Sequence, residues 1–195
     1  MNRGRPLEFD PDTALEAAMQ LFWSRGFEAA SLQDLLDSMG IARSSFYQAF
    51  GSKQEVFLRA VERYRDYLVG ELRTSMESAD SGLAFIEGTL KSVAEDTKCA
   101  DGRRGCLVFN SAAEFGQRDP EVAARVAASI DAFTRVFTDA VRRAQEEGDV
   151  PPERDPKLLG RHVVCTMSGL RTLAKAGARR SELVAIADLA MRSLG

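Results

Sequence analysis

The chain has 195 residues, 45% hydrophobic and 28% charged, a balance that supports a buried core and excludes an intrinsically disordered polymer. A net charge of −3 and a pI near 5.4 exclude a protein that coats nucleic acid indiscriminately, because such binders are basic throughout. No apolar run approaches the roughly 18 residues of a membrane span, "MNRGRPLEFDPD" has no signal-type apolar stretch, and the expected location is the cytoplasm.

The N-terminal segment places Arg3 and Arg5 before the first acid, Glu8, making one of two non-acidic islands in an acidic chain. Asp10-Pro11 then marks a helix start, with a capping carboxylate just ahead of a proline whose missing N–H costs nothing at the first helical position. The predicted helix runs from about Pro11 to Arg25, with Leu15, Ala18, Met19 and Phe22 on one face, and stops at Gly26. A second helix starts at a capping box, Ser31 with Asp34, carries Leu32, Leu35, Leu36 and Met39 inward, and ends at Gly40. A third, about Ala42 to Phe50, turns Phe46 and Phe50 inward and shows Arg43, Ser44, Tyr47 and Gln48 to solvent, with Ser45 at the edge. Its island, Ser38 to Lys53, contains Arg43 and Lys53 and no acid.

Two helices this short are unstable alone and require packing against a third. Phe22, Leu36, Met39, Ile41, Phe46 and Phe50 form the predicted shared core. The exposed set on the third helix suits DNA: arginine and glutamine make bidentate contacts with base edges, while tyrosine and serine hydroxyls suit phosphates and bases. Ser52 with Glu55 reads as another capping box, opening a long helix through Phe57, Ala60, Val61, Tyr64, Leu68 and Leu72. Lys53, in its first turn, sits where its charge and free backbone N–H groups favour a phosphate.

Further helices are predicted near 81–98, 104–116, 120–147, 156–176 and 181–194, with Asp119-Pro120 and Asp155-Pro156 repeating the cap-then-proline start. Residues 146–156 are the clearest loop, and no segment alternates like a strand. The fold class is therefore all-α, of about nine helices. Cys99, Cys106 and Cys165 are odd in number and lack ligand spacing, which predicts reduced thiols, no disulfide framework, no metal site and no cofactor.

Residues 11–57 resemble the DNA-binding domain of the TetR family of bacterial transcriptional repressors, through the Phe-x-x-x-Gly-Phe end of the first helix, Leu35, Gly40, Phe46-Tyr47, Phe50 and Ser52-Lys53. One departure is Ala42, where many members have a capping serine. The resemblance implies a helix-turn-helix head at 1–50 and a ligand-binding and dimerisation domain at 51–195. Tyr47 and Lys53 then become phosphate contacts, Arg43, Ser44 and Gln48 base-edge candidates with Ser45 beside them, and Arg3 and Arg5 an arm for the minor groove. The implied partners are a palindromic double-stranded DNA operator, a small-molecule effector and a second copy of the chain, paired through 156–176 and 181–194. Candidate effector contacts are Tyr64, Phe85, Phe109, Phe133 and Phe137.

"DGRRGCLVFNSAAEFGQRDPEV" resembles the regulatory region of a TetR branch with a Gly-Cys-Leu element that includes repressors responding to electrophiles. Cys106 is the matching residue and the candidate redox or electrophile sensor; a helix start, with Arg103 and Arg104 just before it, would stabilise a thiolate there. The competing readings are an apolar or anionic metabolite as reversible effector, a helical interaction module without DNA binding, and a small thiol enzyme using Cys106. The last needs a base, and the one histidine, His162, lies far along the chain.

Overall fold

The computed structural model of the chain describes residues 9–95, 104–116 and 118–195. Over these residues it forms nine helices: α1 Pro11–Arg25, α2 Leu32–Met39, α3 Arg43–Phe50, α4 Lys53–Ser78, α5 Gly82–Glu95, α6 Leu107–Phe115, α7 Pro120–Glu147, α8 Pro156–Lys175 and α9 Arg180–Arg192. There is no strand among the described residues. Arg3, Arg5, Cys99 and Arg103 lie outside them.

Helix starts follow the capping chemistry. The Asp10 carboxylate accepts the N–H groups of Asp12 and Thr13, Asp119 accepts those of Glu121 and Val122, and Asp155 accepts that of Lys157. Ser31 and Asp34 form a full reciprocal box, with Asp34 N–H donating to Ser31 Oγ at 3.1 Å and Ser31 N–H to Asp34 Oδ2 at 3.0 Å. The Ser52 box is one-sided. Glu55 N–H donates to Ser52 Oγ at 3.1 Å, but Ser52 N–H already donates to the Phe50 carbonyl at 2.9 Å, which leaves the Glu55 carboxylate no donor there. The segment expected to be helical from 104 starts instead at Leu107, because Gly105 at φ 74° holds the backbone out of the helical region and Cys106 becomes the N-cap.

In the head, α1 packs against both α2 and α4, and Phe22, Leu35, Phe46 and Phe57 are almost wholly buried. Gly40, at φ 65°, ends α2 in the left-handed conformation and turns the chain toward α3. In the body, α7 is the spine, contacting α4, α5, α6 and α8. Two glycines allow its closest approaches. A Cβ at Gly82 would stand 2.2 Å from the Ala140 carbonyl oxygen, and one at Gly160 would stand 2.7 Å from the Thr138 backbone nitrogen. Arg143 closes the α4–α5 turn by donating to the carbonyls of Met76, Ala79 and Asp80, while pairing with Glu147 at 2.7 Å.

Head and body meet in a cluster of rings. Phe57 lies 5.1 Å from Phe22, 5.0 Å from Phe27 and 5.3 Å from Phe115, centre to centre. Glu114 beside it accepts the N–H groups of Phe27 at 3.0 Å and Glu28 at 2.7 Å, clamping the turn after α1 onto α6.

Two consequences are measurable. Gly160→Ala should lower stability by about 1–3 kcal/mol in urea unfolding, because its methyl group meets α7 backbone and no flexible side chain can give way. The hydrogen bonds from Ser31, and next the Arg25 guanidinium, hold the Asp34 carboxyl below its ordinary value, and hydrogen bonds from Thr13 and Asp12 do the same for Asp10. A depressed folded-state value contributes stability that is complete above the unfolded-state pKa, about 3.9, and lost as pH falls through the folded one. Melting temperature should accordingly fall on acidification below about pH 4, and less steeply in Asp34→Asn.

Candidate functional site

α3 has eight residues and is held in place from one side only: Phe46 and Phe50 enter the head core, and the Tyr47 ring stands edge-on to Phe46 at 5.4 Å. The opposite side carries Arg43, Ser44 and Gln48, all exposed, with Tyr47 half-exposed at 50% and Ser45 at the edge. These side chains make no hydrogen bond or ion pair with another described residue. Ala42 gives α3 no side-chain cap, which costs about 1 kcal/mol relative to a serine and leaves first-turn N–H groups open to an anion. Lys53 stands at the start of α4 with its Nζ 4.2 Å above the Phe27 ring, so its charge is steadied by an aromatic face. The structure thus brings Arg43, Ser44, Tyr47 and Gln48 together on one helix face.

A cavity of about 1120 Å³ lies between α1, α4, α5 and α8. Tyr64 lines it. The other four aromatic candidates do not. Phe85 stacks on Phe137 at 5.6 Å and both are buried with Phe133 in the α5–α7 core, where their rings fill space between helices. Phe109 is half-buried against that core. Periodicity could not separate core aromatics from cavity aromatics, because both occupy the inner face of a helix.

Cys106 is 2% exposed and makes no side-chain bond to the α6 backbone it caps. The Tyr64 phenol lies near its thiol and the Leu107 N–H, within the field of the Arg171 charge. Burial, and then the neighbouring thiol, push that phenol well above its ordinary value, so it stays protonated at neutral pH. Arg104 is aimed at the head: its guanidinium lies 4.0 Å from the Trp23 ring centre and donates to Gln20 Oε1 at 2.9 Å. Trp23 Nε1–H in turn donates to the Gly105 carbonyl at 3.0 Å. Among the described residues, the cation whose charge acts on the Tyr64 phenol is Arg171, and neither Arg171 nor Trp23 carried a local sequence signal, because chain distance hides the relation.

Residues 14–60 match the family described as "Bacterial regulatory proteins, tetR family", and residues 83–188 match "Tetracyclin repressor-like, C-terminal domain". The chain belongs to the TetR family. Among its relatives, the transcriptional repressor ComR of Escherichia coli K12 is 28% identical over 98% of this chain and 91% of that protein. The repressor BdcR of the same strain is 29% identical over 96% of this chain and 90% of that protein. A cysteine mutant of the TetR-family regulator CifR, solved with a 26-base-pair double-strand operator, superposes with a TM-score of 0.85 at 31% identity, covering 98% of this chain and all of the other. The TetR-family chain is thus a DNA-binding transcriptional regulator with its helix-turn-helix in α2 and α3.

Outside head and cavity, α8 and α9 leave apolar residues uncovered: Leu158 is 65% exposed and Leu189 61%, and Leu173 and Cys165 are exposed on α8 as well. His162 is exposed on the same helix, its Nε2 2.9 Å from Ser193 Oγ. It does not meet the buried Cys106, so the described residues do not assemble a thiol–histidine pair.

The roles expected of Arg43 on α3 and Lys53 at the start of α4 are separable by mutation. Arg43→Ala should relax discrimination at one base position by about 1–3 kcal/mol in competition binding. Lys53→Ala should weaken binding to all DNA sequences alike and reduce the salt slope by about 1. Unchanged binding in both variants would remove the assigned contacts.

Proposed function

We propose that the protein is a homodimeric transcriptional repressor that binds a palindromic operator and leaves it when a small molecule occupies the cavity between α1, α4, α5 and α8. The observation that carries the reading is the wall of that cavity: Met19, Gln20 and Trp23 belong to α1, the helix on which α2 is packed. An occupant touches the DNA-binding head directly. The head, residues 1–50, reads DNA, and residues 51–195 hold the effector and the partner copy. In the head, Tyr47 and Lys53 hold phosphates, while Arg43, Ser44 and Gln48, with Ser45 beside them, face base edges; Arg3 and Arg5 reach the adjacent minor groove.

The uncovered leucines of α8 and α9 support pairing of two copies through 156–176 and 181–194. Two-fold symmetry then sets the spacing of two α3 helices about one DNA turn apart, and an effector shifts the population between fitting and misfitting spacings. Such a regulator needs no catalytic centre and acts in the cytoplasm, where the operator is.

A second route to release is modification of Cys106, favoured by its place at the N-terminus of α6 with the Tyr64 phenol between it and the cavity. An electrophile in the cavity would add to the sulfur and displace that ring.

Sequence selection from a random DNA pool at about 150 mM salt tests the repressor reading, since specificity is meaningful only at a stated ionic strength. An enriched palindrome is the expected outcome, and no enrichment would overturn it. Treatment with N-ethylmaleimide should release the selected DNA from wild type, Cys99→Ala and Cys165→Ala but not from Cys106→Ala. Release in all four removes the thiol route.

A further inference from the structure

The cavity wall carries an uncompensated charge. Of the acids that line it, Glu16 is paired with Arg63 at 2.8 Å and accepts from Gln20, Glu62 is paired with Arg125, Asp66 is paired with Arg65 at 2.8 Å, and Glu71 is exposed. Of the bases, Arg63 is thus occupied, and Arg59 lies over the Phe50 ring at 4.9 Å. Arg171 differs from both. It reaches the cavity from α8, its Nε is wholly buried without a hydrogen-bond partner, and it makes no ion pair with a described residue. A buried donor left unbonded costs free energy, and a guanidinium at the cavity wall with no hydrogen bond or ion pair among the described residues can take up an acceptor. Tyr64 lines the same cavity, and with them stand apolar surfaces of Met19, Trp23, Leu68, Leu72 and Met167.

We infer that this cavity takes an amphipathic monocarboxylate, with its carboxylate on the Arg171 guanidinium and the Tyr64 hydroxyl and its apolar body along Met19, Trp23, Leu68 and Leu72. Arg171 is the lining cation that also has a buried donor without a partner, which suits one negative charge. A polyanion such as a nucleotide would meet four acids, with Arg59, already stacked on Phe50, as the other base lacking a carboxylate partner among the described lining residues. The volume, about 1120 Å³, is at the upper end of small-molecule sites and accommodates a chain of ten or so carbons. Arg171 is a binding residue here, not a catalytic one, and the inference rests on reading the cavity as the effector site. The ligand's tail would lie on Trp23, which also donates to the Gly105 carbonyl and carries Arg104 over its ring, so binding on α8 is transmitted to α1 and to the loop before Cys106.

Trp23 is the chain's one tryptophan, so intrinsic fluorescence of the full-length protein reports occupancy. Decanoate, decanol and decylammonium, matched in length, separate charge from hydrophobic burial. Decanoate should bind roughly 10- to 100-fold more tightly than decanol, with decylammonium weakest, because a charge-assisted bond to a guanidinium is among the strong ones. Arg171→Gln should bring decanoate down to the decanol affinity and leave decanol unchanged, and Tyr64→Phe should weaken decanoate by less. Where Arg171→Gln does not fold by thermal melt, Arg171→Lys, which keeps the charge, should keep the preference for decanoate. Equal affinity of wild type for decanoate and decanol, or of Arg171→Gln and wild type for decanoate, overturns the inference. Operator binding, measured separately on the selected DNA, keeps the two readings apart: Arg171-dependent decanoate binding without operator release leaves the site and removes its effector role.

Discussion

Phe57 is the residue on which the arrangement turns. It lies one turn into α4, and its ring is met by Phe22 from α1, Phe27 from the following turn and Phe115 from α6. Aromatic rings buried together in this way contribute both area and preferred edge and offset geometries. α2 and α3, at eight residues each, could not persist in water, and their anchorage is this core together with Phe46 and Phe50. The α3 face that DNA would meet is therefore only as well placed as rings on the opposite side of the head.

The same junction ties the body to the head by hydrogen bonds as well as rings. Glu114 clamps the backbone of the Phe27–Glu28 turn from α6, and Gly105, just before α6, accepts the Trp23 indole N–H from α1. One link joins the last turn of α6 to the turn after α1, and the other joins the residue before Cys106 to α1 itself. Packed cores switch between discrete arrangements and do not deform smoothly, so these contacts hold α6 and α1 in one fixed relation.

Electrostatics divides the molecule in a way that net charge conceals. Overall the chain is acidic, yet α3 offers Arg43 with no acid on its own helix, and the cavity's acids are largely neutralised by neighbouring arginines while Arg171 is left without a described partner. A small non-acidic face on an otherwise acidic protein would suit a reader of one site, since non-specific attraction elsewhere is weak.

The sequence alone determined the helices, their caps and the exposed set on α3. Those features depend on neighbours within four residues: Asp-Pro starts, the Ser31–Asp34 box, glycine stops and the inward pairing of Phe46 with Phe50. Its motif register also placed the chain in the TetR family. What only the tertiary structure decided are contacts across many tens of residues. Phe85, Phe133 and Phe137 fill the core and leave the cavity to Tyr64, Gly105 moves the α6 start onto Cys106, Arg104 turns to Trp23, and Arg171 reaches the cavity of Tyr64 from α8. Local sequence records which face of a helix is buried, by period. Which helix meets that face, and whether a gap remains between them, depends on how all the side chains fill space at once.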